Sequence, residues 1–149
     1  DVVGRRFQEV FSQLFGGGTA QIVLTDPDNI LTGGIDFYIQ PPGKKRQQLT
    51  LLSGGERALT VIALLFSFLD YRPAPFCVLD EVDAALDEAN VERFSSYLNR
   101  VNKETQFIVV SHRKKTMEAA EVLQGVTMVE RGVSRLLTVA FEDVKEDLA

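Results

Sequence analysis

Residues 76–90 read FCVLDEVDAALDEAN, and this stretch decides the fold class. Its first four residues are apolar without interruption, and the two acids Asp80 and Glu81 follow them directly. Residues 107–110, FIVV, form a second unbroken apolar run. Runs without polar alternation are typical of strands buried on both faces of a parallel sheet. Because helical segments alternate with these runs, the sequence predicts an α/β fold with a mostly parallel sheet flanked by helices and some short antiparallel strands.

An amphipathic helix is predicted at the start of the chain, within residues 1–16. Its apolar residues recur at intervals of three and four, which places them on one helical face. These residues are Phe7, Val10, Phe11, Leu14 and Phe15. Three glycines at 16–18 end the helix, since glycine costs backbone entropy in a helix. No residue before Asp1 is present to cap it, so we expect the sequence to be a piece of a longer chain.

Further strands and helices follow from turn residues and apolar spacing. The predicted segments are strands at 19–24 and 35–40, an exposed basic hairpin tip at 41–46, helices at 57–69, 89–101 and 114–120, and a closing pair of strands at 123–129 and 133–141. The helix at 57–69 is apolar nearly all round, so it must be packed on most sides.

The composition is that of a folded globular domain rather than of a disordered or disulfide-bonded chain. Of the 149 residues, 45% are hydrophobic and 25% charged, and the single cysteine, Cys77, permits no internal disulfide. The longest nearly apolar stretch, 58–69, is too short to span a bilayer. The formal net charge of -5 gives no direct support to a nucleic-acid-binding module. Six acids and no base fall within residues 80–92, so much of this charge belongs to one region.

Asp80 and Glu81 are candidates for catalysis because they follow a buried strand. The carboxyl ends of parallel strands are where α/β proteins place their ligands. An aspartate there can hold Mg²⁺ directly or through water, and a glutamate can deprotonate an attacking water. The alternative is a solvated acidic turn at the end of a strand, which these two residues alone do not exclude.

Residues 52–56 read LSGGE and precede the apolar helix. The Ser53 hydroxyl, two glycines that let the backbone approach closely, and a helix N-terminus together form a cradle for an anion. Taken singly, such a motif is more often an ordinary serine cap. The presence of both motifs, with Ser53 27 residues before Asp80, favours the functional interpretation.

His112 and Asp87 complete the set of candidate residues. His112 is the only histidine and closely follows a buried strand, where its ring can reach a phosphate or position a water. A lone histidine is also often structural or solvated. Asp87 ends the segment AALD at 84–87 and equally suits the N-cap of the next helix, and both roles can hold together.

The sequence contains no P-loop. That phosphate-binding motif has the pattern G-x-x-x-x-G-K-[ST]. The only Gly-Lys pair is Gly43-Lys44, which is followed by Lys45, and Tyr38 stands where the first glycine is required. The chain by itself therefore lacks the usual cradle for the α- and β-phosphates of a nucleotide.

Four stretches in this order and spacing resemble the motifs of ABC-type ATPases. The stretches at 52–56, 76–81 and 84–87 and His112 resemble the signature motif, the Walker B motif, the D-loop and the switch histidine. The longer string from 51 to 113 resembles the C-terminal lobe of the ATPase head of bacterial SMC (structural maintenance of chromosomes) proteins. This resemblance extends over nearly the whole chain.

The resemblance implies that residues 1–149 are the C-terminal half of an SMC head. Residues 1–16 would be a helix next to the coiled coil, 50–70 the signature helix, and 76–149 the segment from the Walker B motif to the C-terminal strands. In this family the N-terminal lobe carries the P-loop, so the resemblance requires its absence here. A part of the sheet without its P-loop strand is expected to expose an apolar face.

The resemblance implies ATP and Mg²⁺ as cofactors and gives three residues a role at the chain's own half of the site. Asp80 would help to hold Mg²⁺, mostly through water. Glu81 would be the general base for the hydrolytic water, and His112 would contact or position the γ-phosphate region.

The other candidates would act on the nucleotide of an opposite head. Ser53 and the backbone of Gly54 and Gly55, in the motif that Glu56 completes, would bind its γ-phosphate. Asp87 would lie at the interface between the heads and couple the two sites.

The implied function is ATP binding and hydrolysis that drives head engagement and release in chromosome condensation and segregation. The implied partners are the N-terminal lobe of the same protein, a second SMC head in an ATP-dependent homodimer, the kleisin subunit, and DNA through the full complex. The kleisin contact is expected at the closing strands and the helix near the chain end. No membrane partner is implied, and the expected location is the bacterial cytoplasm at the nucleoid. The isolated chain is expected to be inactive.

Two alternatives stay open. The chain resembles, less closely, the head of DNA-repair ATPases of the Rad50 or RecN type. It also suits a non-catalytic lobe that only binds kleisin when isolated.

Overall fold

Helices and strands alternate along the chain, and the computed structural model describes residues 2–101 and 105–140 of it. The elements are α1 (Val2–Phe15), β1 (Thr19–Leu24), β2 (Ile35–Gln40), β3 (Gln47–Gln48), a 3₁₀ turn (Leu49–Leu51), α2 (Gly54–Tyr71), β4 (Phe76–Asp80), α3 (Glu88–Leu98), β5 (Gln106–Val110), α4 (Lys114–Glu118), β6 (Val122–Glu130) and β7 (Val133–Ala140). The predicted strand end at Phe141 and the acidic segment 141–149 lie outside the described residues.

The largest differences from the predicted bounds are at the helix ends. Helix α2 begins at Gly54 because Ser53 caps it, and it continues to Tyr71 just before the proline-containing turn. Helix α3 ends at Leu98 rather than at residue 101. The amides of Asn99 and Val101 bond back to the carbonyls of Ser95 and Tyr97, which is typical of a helical turn that is closing.

The core lies between α1, α2, α3 and one face of the central strands. All five residues of the predicted α1 stripe are buried, as the helical spacing requires. Phe66 of α2 lies at the centre of the second half of the core, where its ring is 5.0 Å from that of Tyr97 and 5.8 Å from that of Phe107. These contacts hold α2 and α3 against β5 and so fix the elements that carry the candidate residues.

The strands form three small sheets. Strands β1, β2 and β3 are antiparallel, β4 and β5 are parallel, and β6 and β7 are antiparallel. The predicted α/β class is confirmed, with helices packed on a parallel pair. Antiparallel pairing is more extensive than predicted, because short connections join β1 to β2 and β6 to β7, and a short connection permits only antiparallel neighbours.

The parallel pair is covered on one face only. Leu79 is buried, whereas Phe76, Val78, Ile108 and Val110 on the opposite face are between 47% and 59% exposed. The prediction of a sheet covered on both faces is therefore wrong for this chain. The expected exposed apolar face is confirmed, since the described residues include no element that packs there.

None of the described helices is long and apolar enough to cross a membrane.

Candidate active site

Asp80, Glu81 and His112 lie at one edge of the parallel pair. Asp80 ends β4 opposite Val110, the last residue of β5, and the Glu81 amide donates to the Val110 carbonyl at 2.9 Å. His112 follows β5 by two residues, so all three residues lie at the carboxyl edge of the sheet, and all three are exposed. The structure thus brings together the residues that the sequence selected at this edge.

Glu81 has an unusual backbone conformation. Its φ of 48° is the only positive value at a described non-glycine residue. This conformation costs about 1–2 kcal/mol in an L-residue, and such residues cluster at functional sites. The chain therefore turns sharply at the residue predicted to be the general base.

Asp80 is suited to a Mg²⁺ ion that takes most of its ligands from elsewhere. No group of three or more potential metal-binding side chains is found in the described part of the chain. Mg²⁺ usually takes one or two protein carboxylates and completes its shell with water and substrate phosphates. A single exposed carboxylate at the strand end fits this mode of binding and does not fit a cage made by the protein alone.

Ser53 caps α2 through a reciprocal pair of hydrogen bonds with Glu56. The Glu56 amide donates to Ser53 Oγ, while the Ser53 amide and hydroxyl both donate to Glu56 Oε2, the hydroxyl at 2.9 Å. This capping box leaves the hydroxyl at the positive end of the helix dipole, where anions are stabilised. The serine-cap interpretation is confirmed.

The two glycines of this motif have different surroundings. Gly54 has no neighbour within 4 Å of the position that a Cβ would take. At Gly55 that position lies 3.4 Å from the Ala85 carbonyl oxygen and 3.8 Å from the Asp87 amide. The N-terminus of α2 is therefore packed beside the segment 84–87, and Gly54 presents open backbone.

Lys44 forms an ion pair with Glu56 that the sequence did not predict. Lys44 Nζ lies 2.9 Å from Glu56 Oε1. Burial raises the pKa of Glu56, but hydrogen bonds from Lys44 and Ser53 outweigh it and lower the pKa below its usual value. No local pattern links residues 44 and 56, because their contact depends on how the strands between β1 and α2 fold back.

Asp87 is the N-cap of α3. Its Oδ1 accepts from the Asn90 amide at 2.9 Å and its Oδ2 from the Asn90 side chain at 3.3 Å. The capping role is confirmed. Asp87 itself is exposed, so it can also meet a second molecule.

Asp83 is a functional candidate that sequence reasoning missed. Its side chain is fully buried and its Oδ2 accepts hydrogen bonds from Ser111 and Thr116. Nothing in the sequence separates Asp83 from the neighbouring acids, because its two partners lie 28 and 33 residues further along the chain. The acidic segment after β4 thus contains exposed acids and one acid, Asp83, that is buried in the core.

Residues 29–135 match the family model described as the RecF/RecN/SMC N terminal domain. This match spans more than half of the chain. The chain belongs to the SMC family. The chromosome partition protein Smc of Bacillus subtilis is 63% identical to this SMC chain over 140 residues, which are 94% of the chain and 12% of that protein. The chain thus spans about an eighth of the length of such curated relatives.

Solved SMC heads have the same fold. A structure described as the structural biochemistry of ATP-driven dimerization and DNA-stimulated activation of SMC ATPases has a TM-score of 0.86 and 37% identity, over 99% of this chain and 89% of that one. The Smc head domain of Pyrococcus furiosus, with an extended coiled coil and bound to the C-terminal domain of ScpA, gives the same TM-score and identity over 99% of this chain and 37% of its own. The described elements are therefore those of an SMC head.

Proposed function

We propose that this chain is the C-terminal half of an SMC ATPase head, which hydrolyses ATP only together with the N-terminal lobe of the same protein. The observation that carries this proposal is the division of the site. Asp80, Glu81 and His112 share one sheet edge, the LSGGE motif caps a separate helix, and the sequence has no P-loop. Half of the parts for phosphoryl transfer are present, and they are the parts that do not bind the α- and β-phosphates.

Three residues would serve the nucleotide held by the same head. Asp80 would bind Mg²⁺, mostly through water, and the ion would neutralise charge on the phosphates. Glu81 would take the proton of the attacking water, and it lies at a sharp backbone turn directly after the strand. His112 would contact the γ-phosphate region from the neighbouring strand.

The N-terminus of α2 would serve the nucleotide of a second head. The Ser53 hydroxyl and the backbone of Gly54 and Gly55, which is open at Gly54, would bind its γ-phosphate, aided by the helix dipole. Glu56 would hold the Ser53 backbone in place through its bond from the Ser53 amide, while the hydroxyl would exchange its bond to Glu56 for one to the phosphate. Asp87, exposed beside this helix, would lie at the head–head interface.

The exposed face of β4 and β5 supports a partner lobe that is part of the same protein. Four large side chains on adjacent strands form one apolar face, and such a continuous patch on a sheet usually marks an interface. Their burial would add about 1–2 kcal/mol for each side chain. The N-terminal lobe, which would bring the P-loop strand, is the partner that this face fits.

The hairpin of β6 and β7 is the proposed contact for the kleisin subunit. Val126 and Leu136 face each other across it and are among its exposed apolar side chains. The related Pyrococcus head is bound to the C-terminal domain of ScpA. The relatives are chromosome partition proteins of bacteria, so we place the action of this chain in chromosome condensation and segregation, at the nucleoid in the cytoplasm, with DNA bound through the full complex.

The identity to Smc proteins favours this function over that of a repair ATPase of the Rad50 or RecN type. The Bacillus subtilis Smc protein is 63% identical to this chain over 94% of its length. A non-catalytic lobe that only binds kleisin would not require the acidic edge of β4 and β5.

Replacement of the proposed general base tests the function. In a head that contains both lobes, we expect Glu81→Gln to lower ATP turnover by about 100-fold or more, which is the usual contribution of a general base. ATP should still bind, so engaged head dimers should accumulate, and light scattering would detect them. Glu92→Gln, an equal loss of charge at an exposed position of α3, is the matched control. A Glu81→Gln head that stays monomeric with ATP, or that hydrolyses it normally, would contradict the role of Glu81.

A further inference from the structure

The segment 83–87 and the segment that carries His112 are joined by one buried side chain. The Asp83 carboxylate is fully buried, and its Oδ2 atom accepts hydrogen bonds from Ser111 Oγ at 2.6 Å and Thr116 Oγ1 at 2.5 Å. None of the roles proposed above uses this aspartate. We infer that Asp83 is a positioning residue that makes these two segments move together, so that engagement of a second head sets the position of His112.

Hydrogen bonds hold the chain on both sides of His112. Ser111, which precedes it, donates to Asp83 and accepts from the Arg113 amide at 2.9 Å. Arg113, which follows it, donates through Nη2 to the carbonyls of Ala84, at 3.3 Å, and Leu86, at 2.9 Å. A shift of residues 84–86 therefore displaces the backbone that carries the imidazole.

A carboxylate suits this role because one oxygen serves two donors. Hydrogen bonds to a charged acceptor are about twice as strong as those between neutral groups. The second oxygen, Oδ1, is buried and has no hydrogen-bond donor among residues 2–101 and 105–140. Since a buried charge is stable only when it is paired or hydrogen-bonded, the two hydroxyls must follow the carboxylate when it moves.

The same segment continues to the proposed head–head interface. Asp87 lies four residues after Asp83 and is exposed at the N-cap of α3, beside Gly55. A second head that contacts Asp87 would displace the segment 83–87. The other end of this segment, Asp83, is hydrogen-bonded to Ser111 and Thr116 on either side of His112. This inference rests on the proposed function, because it gives Asp83 a part in ATP hydrolysis by the engaged heads.

Two threonine-to-valine substitutions separate this role from a contribution to stability. Thr116→Val removes a hydroxyl that bonds to Asp83, whereas Thr105→Val removes one that donates to the Ala74 carbonyl at 2.7 Å. Both threonines are buried, and each variant loses one side-chain hydrogen bond, to the Asp83 carboxylate for Thr116 and to a backbone carbonyl for Thr105. Thr116→Ser keeps the hydroxyl and is the conservative variant.

We would measure kcat, KM for ATP and the fraction of engaged dimers with heads that contain both lobes. Thr116→Val should lower kcat by about tenfold or more while KM stays within about twofold, since nucleotide binding does not involve Asp83. Engaged dimers should still form, Thr116→Ser should restore kcat, and Thr105→Val should leave kcat within about twofold of the wild type.

The outcomes distinguish this inference from the function on which it rests. If the wild-type head hydrolyses ATP but Thr116→Val and Thr105→Val change kcat equally, or neither changes it, the positioning role is wrong and the proposed function stands. If the wild-type head with both lobes does not hydrolyse ATP, the proposed function fails and this inference fails with it.

Discussion

Ser53 offers a test of which head each half of the site serves. Its hydroxyl is exposed at the start of α2, and its hydrogen bonds within the chain are those of the capping box. In the proposed arrangement the phosphate that it meets belongs to the opposite head. A change at Ser53 should therefore affect contact between heads and not the binding of ATP by its own head.

We expect Ser53→Arg to leave ATP affinity unchanged in a head with both lobes but to prevent ATP-dependent dimers, because a long cation would occupy the space of the opposite phosphate. Calorimetric ATP binding and light scattering would measure the two effects. Ser53→Ala, which loses the cap at a cost of about 1 kcal/mol without adding bulk, is the control for helix stability. Loss of ATP binding by Ser53→Arg would mean that Ser53 acts on the nucleotide of its own head.

Local motifs predicted the positions of the helix caps and of the strand end, and contacts between distant segments were missed. The caps Ser53 and Asp87 and the strand end before Glu81 are each encoded within a few neighbouring residues. Asp83 and Lys44 were missed because their partners are brought close only by the fold. Such pairs leave no periodic pattern in a single sequence.

At the scale of elements, three glycines connect α1 to β1, and Gly18 is the most tightly packed of them. Gly18 has a φ of 84°, and a Cβ there would lie 2.3 Å from the backbone oxygen of Gln40 in β2. Gly16 has a φ of 72° with open space around it. Both positions disfavour a side chain, but only Gly18 lets two backbone segments approach each other closely.

Gly18→Ala should therefore destabilise the head more than Gly16→Ala. The left-handed conformation alone costs about 1 kcal/mol in each variant. The clash with the β2 backbone should add about 1–3 kcal/mol at Gly18, as other forms of steric strain do. Thermal melting of both variants would measure the difference, and equal melting temperatures would show that the approach of β2 is not constrained by Gly18.

The elements also show where patterns in the sequence mislead. The unbroken apolar strands β4 and β5 predicted burial on both faces, and this prediction was wrong. An apolar pattern indicates that both faces of a strand suit apolar neighbours, but the described residues supply such neighbours on one face only. The same strands expose Val78 and Ile108 side by side. The helix stripe of α1, in contrast, finds its partners within the chain and is buried as predicted.

At the scale of the molecule, the structure shows where the acidic residues lie and which face of the chain is left exposed. The net charge of -5 includes six acids within residues 80–92. In the structure these residues include Asp80 and Glu81 at the strand edge, the buried Asp83 and the cap Asp87. An acidic total therefore does not argue against a complex that organises DNA, because much of it belongs to the proposed ATPase site. The described residues have their own core, and one face of the central strands is exposed, which is the face proposed to bind a partner lobe.

This chain is proposed to hold half of an ATPase site. The most direct measurement is ATP turnover by the purified chain alone, by the N-terminal lobe alone, and by the two lobes together, with Glu81→Gln in the joined head as a control for contaminating ATPases. We predict no turnover above background for either lobe alone and clear turnover for the two together, which Glu81→Gln abolishes. Robust hydrolysis by the chain alone would contradict the account.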